Sequence, residues 1–322
     1  MLRYPYHLQH HPYEVTIHKK KNIVLMGQYD LKYPIDQFNA VKVGLTLRQD
    51  KLFYKATDNI TLNIPTEAIE RVGIRATYIL DNTLDKGLNL FAGTRAKVFV
   101  EWVKKFDLNF DKGVALNFNK GHMWVAGFDA RNYFELDRHS IFATRLASQV
   151  SFGSEKILYY LGGSDGWLFP SFNEETQTAT DENYAYQIAT PSLRGFQYNI
   201  RNGNNFALLN GELRVPFVRY LSRRTLSSSF LNNLQLVGFF DIGSAWNGWD
   251  PFTKYNPLNT VFISQPGIDI KVNYFRNPIV FGYGGGLRFL LFGYFMRLDY
   301  AKGWDTGTFT KPRLYFSLGT DF

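Results

Sequence analysis

Apolar and polar residues alternate with a period of two along this chain, down to its last residues, and no other feature constrains the fold as much. In KPRLYFSLGTDF, Leu314, Phe316, Leu318, Thr320 and Phe322 share one face, and Tyr315, Ser317, Gly319 and Asp321 the other. IVFGYGGGLRFL sets Ile279, Phe281, Tyr283, Leu287 and Phe289 against Gly282, Gly284, Gly286 and Arg288. LLFGYFMRLDYA sets Phe292, Tyr294, Met296, Leu298 and Tyr300 against Gly293, Arg297 and Asp299. AVKVGLTLR, GIRATYILD and GTRAKVFVEW repeat the pattern, with Lys42, Arg48, Arg75, Asp81, Arg95, Lys97 and Glu101 on their polar sides. Successive side chains of a strand point to opposite faces, so this period writes strands and not helices. Further strands are expected near 23–33, 122–135, 139–153, 204–218 and 232–246, about eleven in all and several longer than the usual five or six residues.

Two architectures use such strands. A soluble sandwich turns the apolar face inward, and a transmembrane barrel turns it outward to lipid. Composition and placement favour the barrel. Aromatics reach 17% of the 322 residues, and 27 are glycine. Arg and Glu recur mid-strand, as a wet lumen allows. Trp102, Trp246 and Tyr300 lie on apolar faces near expected strand ends, as interfacial girdles do. Turns such as 81–87 and 134–140 are short or moderate, whereas 154–203 is a connection of about fifty residues, too long for a structureless loop in a compact soluble domain. No run of about 18 apolar residues exists, so no transmembrane helix is written. The pattern favours an all-β fold, an antiparallel up-and-down transmembrane β-barrel over 23–322, above a soluble β fold, preceded by a polar, basic segment at 1–22. MLRYPYHLQHHPYEV has no apolar signal core, so the export signal of such a barrel is expected upstream.

Motifs for chemistry are few. There is no cysteine, which removes disulfides and thiolate-bound metal. His7, His10 and His11 have metal-compatible spacing but no converging carboxylates, so no metal is expected. GYGGG at 282–286 lacks the Lys-Ser/Thr ending of a phosphate loop and sits within a strand. Its glycines read better as a place where another segment approaches the wall. His122 and His139 have no nucleophile marked nearby, so no catalytic residues are assigned. The net charge of +8 fits lumenal and headgroup-facing Lys and Arg, and no nucleic-acid motif accompanies it.

PSLRGF (191–196), GELRVP (211–216), FFDIGSAW (239–246), GYGGGLRF, MRLDYA and FSLGTDF follow one another in a distinctive series. Together they resemble the bacterial surface-antigen outer-membrane barrel superfamily, which includes BamA-type assembly proteins and two-partner secretion transporters. The resemblance runs from about residue 70 to 322 and implies a sixteen-stranded barrel, of which 11–12 strands are readable here as its C-terminal part. It implies that loop 154–203 folds back into the barrel, with Arg194, Gly195 and Phe196 at its docking tip. Parity supplies inward partners: Glu212 shares a face with Asn210 and Arg214, and Asp241 with Gln235 and Gly243. A guanidinium suits this task because its planar fork binds carboxylates bidentately and stays charged. Phe316, Leu318 and Phe322 resemble the C-terminal signal by which such strands are recognised for insertion. The function implied is insertion of outer-membrane proteins or protein translocation, in the outer membrane of a Gram-negative-type bacterium. The expected partners are outer-membrane lipid including lipopolysaccharide, unfolded outer-membrane or secreted proteins, and periplasmic accessory proteins. No cofactor is implied. An alternative is a barrel that anchors, or forms a pore for, a fused periplasmic domain. An integral outer-membrane enzyme is a third reading.

Overall fold

A computed structural model describes residues 20–54, 66–109, 115–118, 121–179, 182–221, 228–253, 260–265, 268–273 and 276–322. Its main element is one antiparallel wall whose strands follow one another in chain order. Before the long loop come β1 (Lys20–Pro34), β2 (Asn39–Tyr54), β3 (Glu67–Asp81), β4 (Leu90–Asn109), β5 (His122–Glu135) and β6 (Ile141–Gly153). Inside the loop lie β7 (Lys156–Leu161), β8 (Tyr184–Ala189) and β9 (Arg201–Gly203). The wall resumes with β10 (Asn205–Val215) and β11 (Gln235–Trp246). A hairpin of β12 (Thr260–Gln265) and β13 (Ile268–Asn273) stands between β11 and β14 (Val280–Leu291). Then follow β15 (Tyr294–Asp305), the short β16 (Thr308–Phe309) and β17 (Arg313–Leu318). Among the described residues, six main wall strands therefore precede the loop, and β10, β11, β14, β15 and β17 follow it.

The direction of burial separates the two architectures. On β1 the outward series includes Leu25, 69% exposed, and Tyr33, 73% exposed, and Val43, Leu45, Leu47, Val98, Leu209, Leu213 and Leu314 continue this surface. Inward, Glu212, Arg214, Asp241, Arg288 and Asp299 are wholly buried. A water-soluble fold rarely exposes an apolar band of this extent while burying its charges. Lipid outside and a polar lumen inside account for both. The arrangement is that of a transmembrane barrel wall.

The lumen is filled from one end by the loop. β8, β7 and β9 form a small sheet of their own, parallel between β7 and β8 and antiparallel between β7 and β9. Its apolar residues Ile157, Tyr159 and Leu161 pack with Leu193 and Phe196 against Phe99, Val125, Phe206 and Leu208 of the wall. The main hydrophobic core thus lies between loop and wall.

Two details depart from the alternation pattern. Phe292 and Gly293 both have positive φ (51° and 81°) between β14 and β15, as in the tight hairpin turn whose twist matches its strands. Phe292 is therefore a turn residue, not an extension of the strand face. Tyr300 lies mid-strand opposite Gly285, away from the strand end expected of a girdle residue. Within the wall, β1 pairs with β2 and β17 with β15, and the described residues form no ladder between β1 and β17. The sheet is not closed.

Leu209→Arg, on the outward face near the middle of β10, should destabilise the protein by about 2–4 kcal/mol if that face meets lipid. Unfolding equilibria in phospholipid vesicles read the change, and an effect near zero would argue for water on that face.

Candidate functional site

The loop tip meets the wall at Arg194. Its backbone N–H and its Nε both donate to Asp241 Oδ2, at 2.8 and 2.7 Å, and its Nη2 donates to Asp241 Oδ1 at 2.8 Å. Nη1 donates to Glu212 Oε1 at 2.5 Å. The guanidinium lies over the Phe239 ring, 3.6 Å from its centroid. Asp241 is thus gripped by a fork and a main-chain amide together. Burial alone would push the Arg194 pKa down, but the charges of Asp241 and Glu212 outweigh it and hold the pKa well above its ordinary value.

Each partner is held in turn. Asn210 Nδ2 donates to Asp241 Oδ1 at 2.6 Å and to the Ser192 carbonyl at 2.8 Å, tying wall and loop through one amide. Glu212 Oε2 accepts from Arg214 Nε at 2.9 Å, and Arg288 Nη1 donates to Asp299 Oδ1 at 2.5 Å. Alternation within β10, β11, β14 and β15 puts these side chains on the lumenal face. Arg288, Asp299 and Asn210 were legible on polar faces, but parity alone did not connect them to the loop.

Close approach depends on missing side chains. A Cβ on Gly282 would stand 1.8 Å from the Arg194 carbonyl oxygen, and one on Gly303 would stand 2.4 Å from the Phe196 ring. Gly195 has φ +98°, a conformation that favours glycine, and its N–H donates to Tyr315 Oη at 2.9 Å. Tyr315 Oη then donates to the Phe196 carbonyl at 2.8 Å. Phe196 is buried in the core between loop and wall. The expectation that wall glycines admit another segment applies at Gly282, and Gly303 extends it to the next strand.

The C-terminal residues do not share one face. Phe316 and Leu318 are half-buried in β17, where they alternate with the buried Tyr315 and Ser317. Phe322 lies beyond the strand, in the lumen, 6% exposed among Leu90, Tyr133, Ile141 and Ala143. This corrects the expected outward series. Gly319 (φ +125°) and Asp321 (φ +66°) turn the chain, and lumenal cations draw it inward. The Asp321 carboxylate accepts from Arg131 Nη1 at 2.5 Å, Tyr133 Oη at 2.6 Å and Arg214 Nη2 at 3.0 Å. Its N–H donates to Asn89 Oδ1 at 2.7 Å, and the Phe322 ring lies 5.0 Å from the Arg214 guanidinium carbon. His122 and His139 are apart from this cluster, and no metal-compatible set of His and carboxylates occurs among the described residues. His7, His10 and His11 lie outside the described residues.

Arg194→Ala should cost about 3–5 kcal/mol, because it leaves the buried Asp241 and Glu212 short of a cation. Adding Asp241→Asn should recover part of the loss by removing the stranded charge. Hydrogen exchange of loop amides 191–196 with denaturant unfolding checks both, and full retention of loop protection in the single variant would oppose the latch. Asp321→Asn should weaken the tail by about 1–3 kcal/mol, read as faster exchange at the 321 amide.

The sequence matches the Omp85 superfamily domain over residues 25–322. No curated protein matches it significantly. Among solved structures it is similar to BamA from Haemophilus ducreyi lacking POTRA domains 1–3, at 16% identity and a TM-score of 0.50, covering 94% of this chain and 54% of that one. It also matches CdiB from Acinetobacter baumannii, at 13% identity and a TM-score of 0.37, covering 94% of this chain and 50% of that one. The chain therefore spans about half the length of these structures. The domain match covers nearly all the wall whose lumen holds the Arg194 latch, and the chain belongs to the Omp85 superfamily.

Proposed function

We propose that this chain is an outer-membrane barrel portion that promotes insertion of outer-membrane proteins or translocation of secreted proteins. The observation that carries the reading is the buried Arg194–Asp241–Glu212 junction, which seats a fifty-residue loop inside a charged lumen. Superfamily membership supports the same reading. The surroundings would be outer-membrane lipid including lipopolysaccharide, with unfolded client proteins and periplasmic accessory proteins as partners. The role is one of binding and passage, not of covalent catalysis. Phe316 and Leu318 would serve recognition during the chain's own insertion, with Phe322 taking the lumenal position described above.

The test is reconstitution of the purified protein into vesicles of outer-membrane phospholipid and lipopolysaccharide. Folding of a urea-unfolded small barrel protein, or protease protection of a secreted client, should run several-fold faster than in empty vesicles, and Arg194→Ala should remove most of the gain. Wild-type protein that is folded, shown by altered gel mobility before heating, yet accelerates neither client would overturn the proposal. Ion conductance without client activity would favour the pore reading.

A further inference from the structure

Among the described residues, the last strand has an edge that no wall strand takes, and part of that edge is occupied. β17 pairs with β15 along one side, with Ser317 opposite Arg297. On its other side the loop residue Trp167 forms an antiparallel bridge with Ser317. The Leu168 N–H donates to the Phe316 carbonyl at 2.9 Å, and the Leu318 N–H donates to the Gly166 carbonyl at 3.1 Å. These are ladder bonds of the kind a neighbouring strand would make. The residues 166–168 therefore stand where the wall would continue.

The segment is built for this place. Gly166 has φ +65°, and a Cβ there would stand 2.1 Å from the Leu318 carbonyl oxygen. Trp167 packs its ring on Tyr315, centroids 4.8 Å apart, and on Tyr198 at 5.8 Å. The preceding turn is bolted to the latch-bearing part of the loop: Asp165 N–H donates to Ser192 Oγ at 2.8 Å, and Tyr198 Oη donates to the Ser164 carbonyl at 2.8 Å. Arg297 reaches the Asp165 carbonyl from the wall. Ser192 lies two residues before Arg194, whose ion pairs fix that end of the loop.

We infer that Gly166–Leu168 is an intramolecular strap on the open edge of β17. It satisfies backbone groups that lipid cannot, and any strand completing the wall at Phe316–Leu318, β1 included, has to displace it. Because the strap is joined to the Arg194 latch through Ser192 and Tyr198, loosening the latch loosens the strap. The inference does not require the insertion or translocation role, and its test reads geometry alone.

The chain contains no cysteine, so engineered pairs report without background. Trp167→Cys with Ser317→Cys, and separately Leu168→Cys with Phe316→Cys, place thiols at directly opposed positions. The second pair keeps the Trp167 ring in place. In the full chain in membranes, mild oxidation should cross-link most molecules of either pair. Gly166→Val added to the second pair should lower the yield roughly tenfold, as expected for two lost backbone hydrogen bonds, while unheated gel mobility still shows a folded barrel. Arg194→Ala should lower it as well. Folded protein in which neither pair cross-links would overturn the strap. So would efficient cross-linking of Phe316→Cys to a cysteine at Leu25, Gly27 or Tyr29 of β1 with the loop sequence intact. A yield unaffected by Arg194→Ala would overturn its coupling to the latch.

Discussion

A guanidinium that has left water must be met by carboxylates, and in this protein the demand of Arg194 organises the interior. Asp241 and Glu212 answer it from adjacent strands. Their own remaining oxygens and neighbours then call in Asn210, Arg214, Arg288 and Asp299, so one loop charge propagates into a network across β10, β11, β14 and β15. Buried pairs of this kind contribute little net stability compared with an apolar core, but breaking one is costly. Their effect is therefore positional. They define where the loop tip sits, and the glycines at 282 and 303 let its backbone and Phe196 come close enough to sit there.

Strand parity made much of this legible. Alternation places Glu212, Asp241, Arg288 and Asp299 on one side of their strands because a pleat leaves no other choice. The same rule identified the wall strands before and after the loop. It failed where the backbone stops being a strand. Phe292 follows the apolar rhythm yet occupies a turn with positive φ, since a tight hairpin needs two such residues there. Phe322 also follows the rhythm, but the ladder ends at Leu318, and the pull of Arg131 and Arg214 on Asp321 brings the tail inside. The small sheet β7–β9 leaves no such alternation in the sequence, for another reason. Its strands are short, one is three residues, and its partners are distant in sequence.

The last strand illustrates how a short element can be kept from fraying. Only six residues long, it is held along one side by β15 and at its free side by the loop segment 166–168. Beyond it, the tail is fastened to β5 and β10 on another part of the wall through Arg131, Tyr133 and Arg214. These restraints use different chemistry: amide ladders at the edge, and ion pairs with ring burial inside. Loss of one need not release the others.

The count of wall strands carries a geometrical consequence. Among the described residues, eleven main wall strands, each antiparallel to the one before, leave the first and the last running in the same direction. If β1 and β17 met directly, their seam would be a parallel ladder, with slanted hydrogen bonds and slightly weaker pairing than anywhere else in the wall. An all-antiparallel cylinder requires an odd number of additional strands at that position, from whatever source. Whether pairing at such a seam is parallel or antiparallel thus follows from the strand count alone, and the parallel case is the weaker of the two.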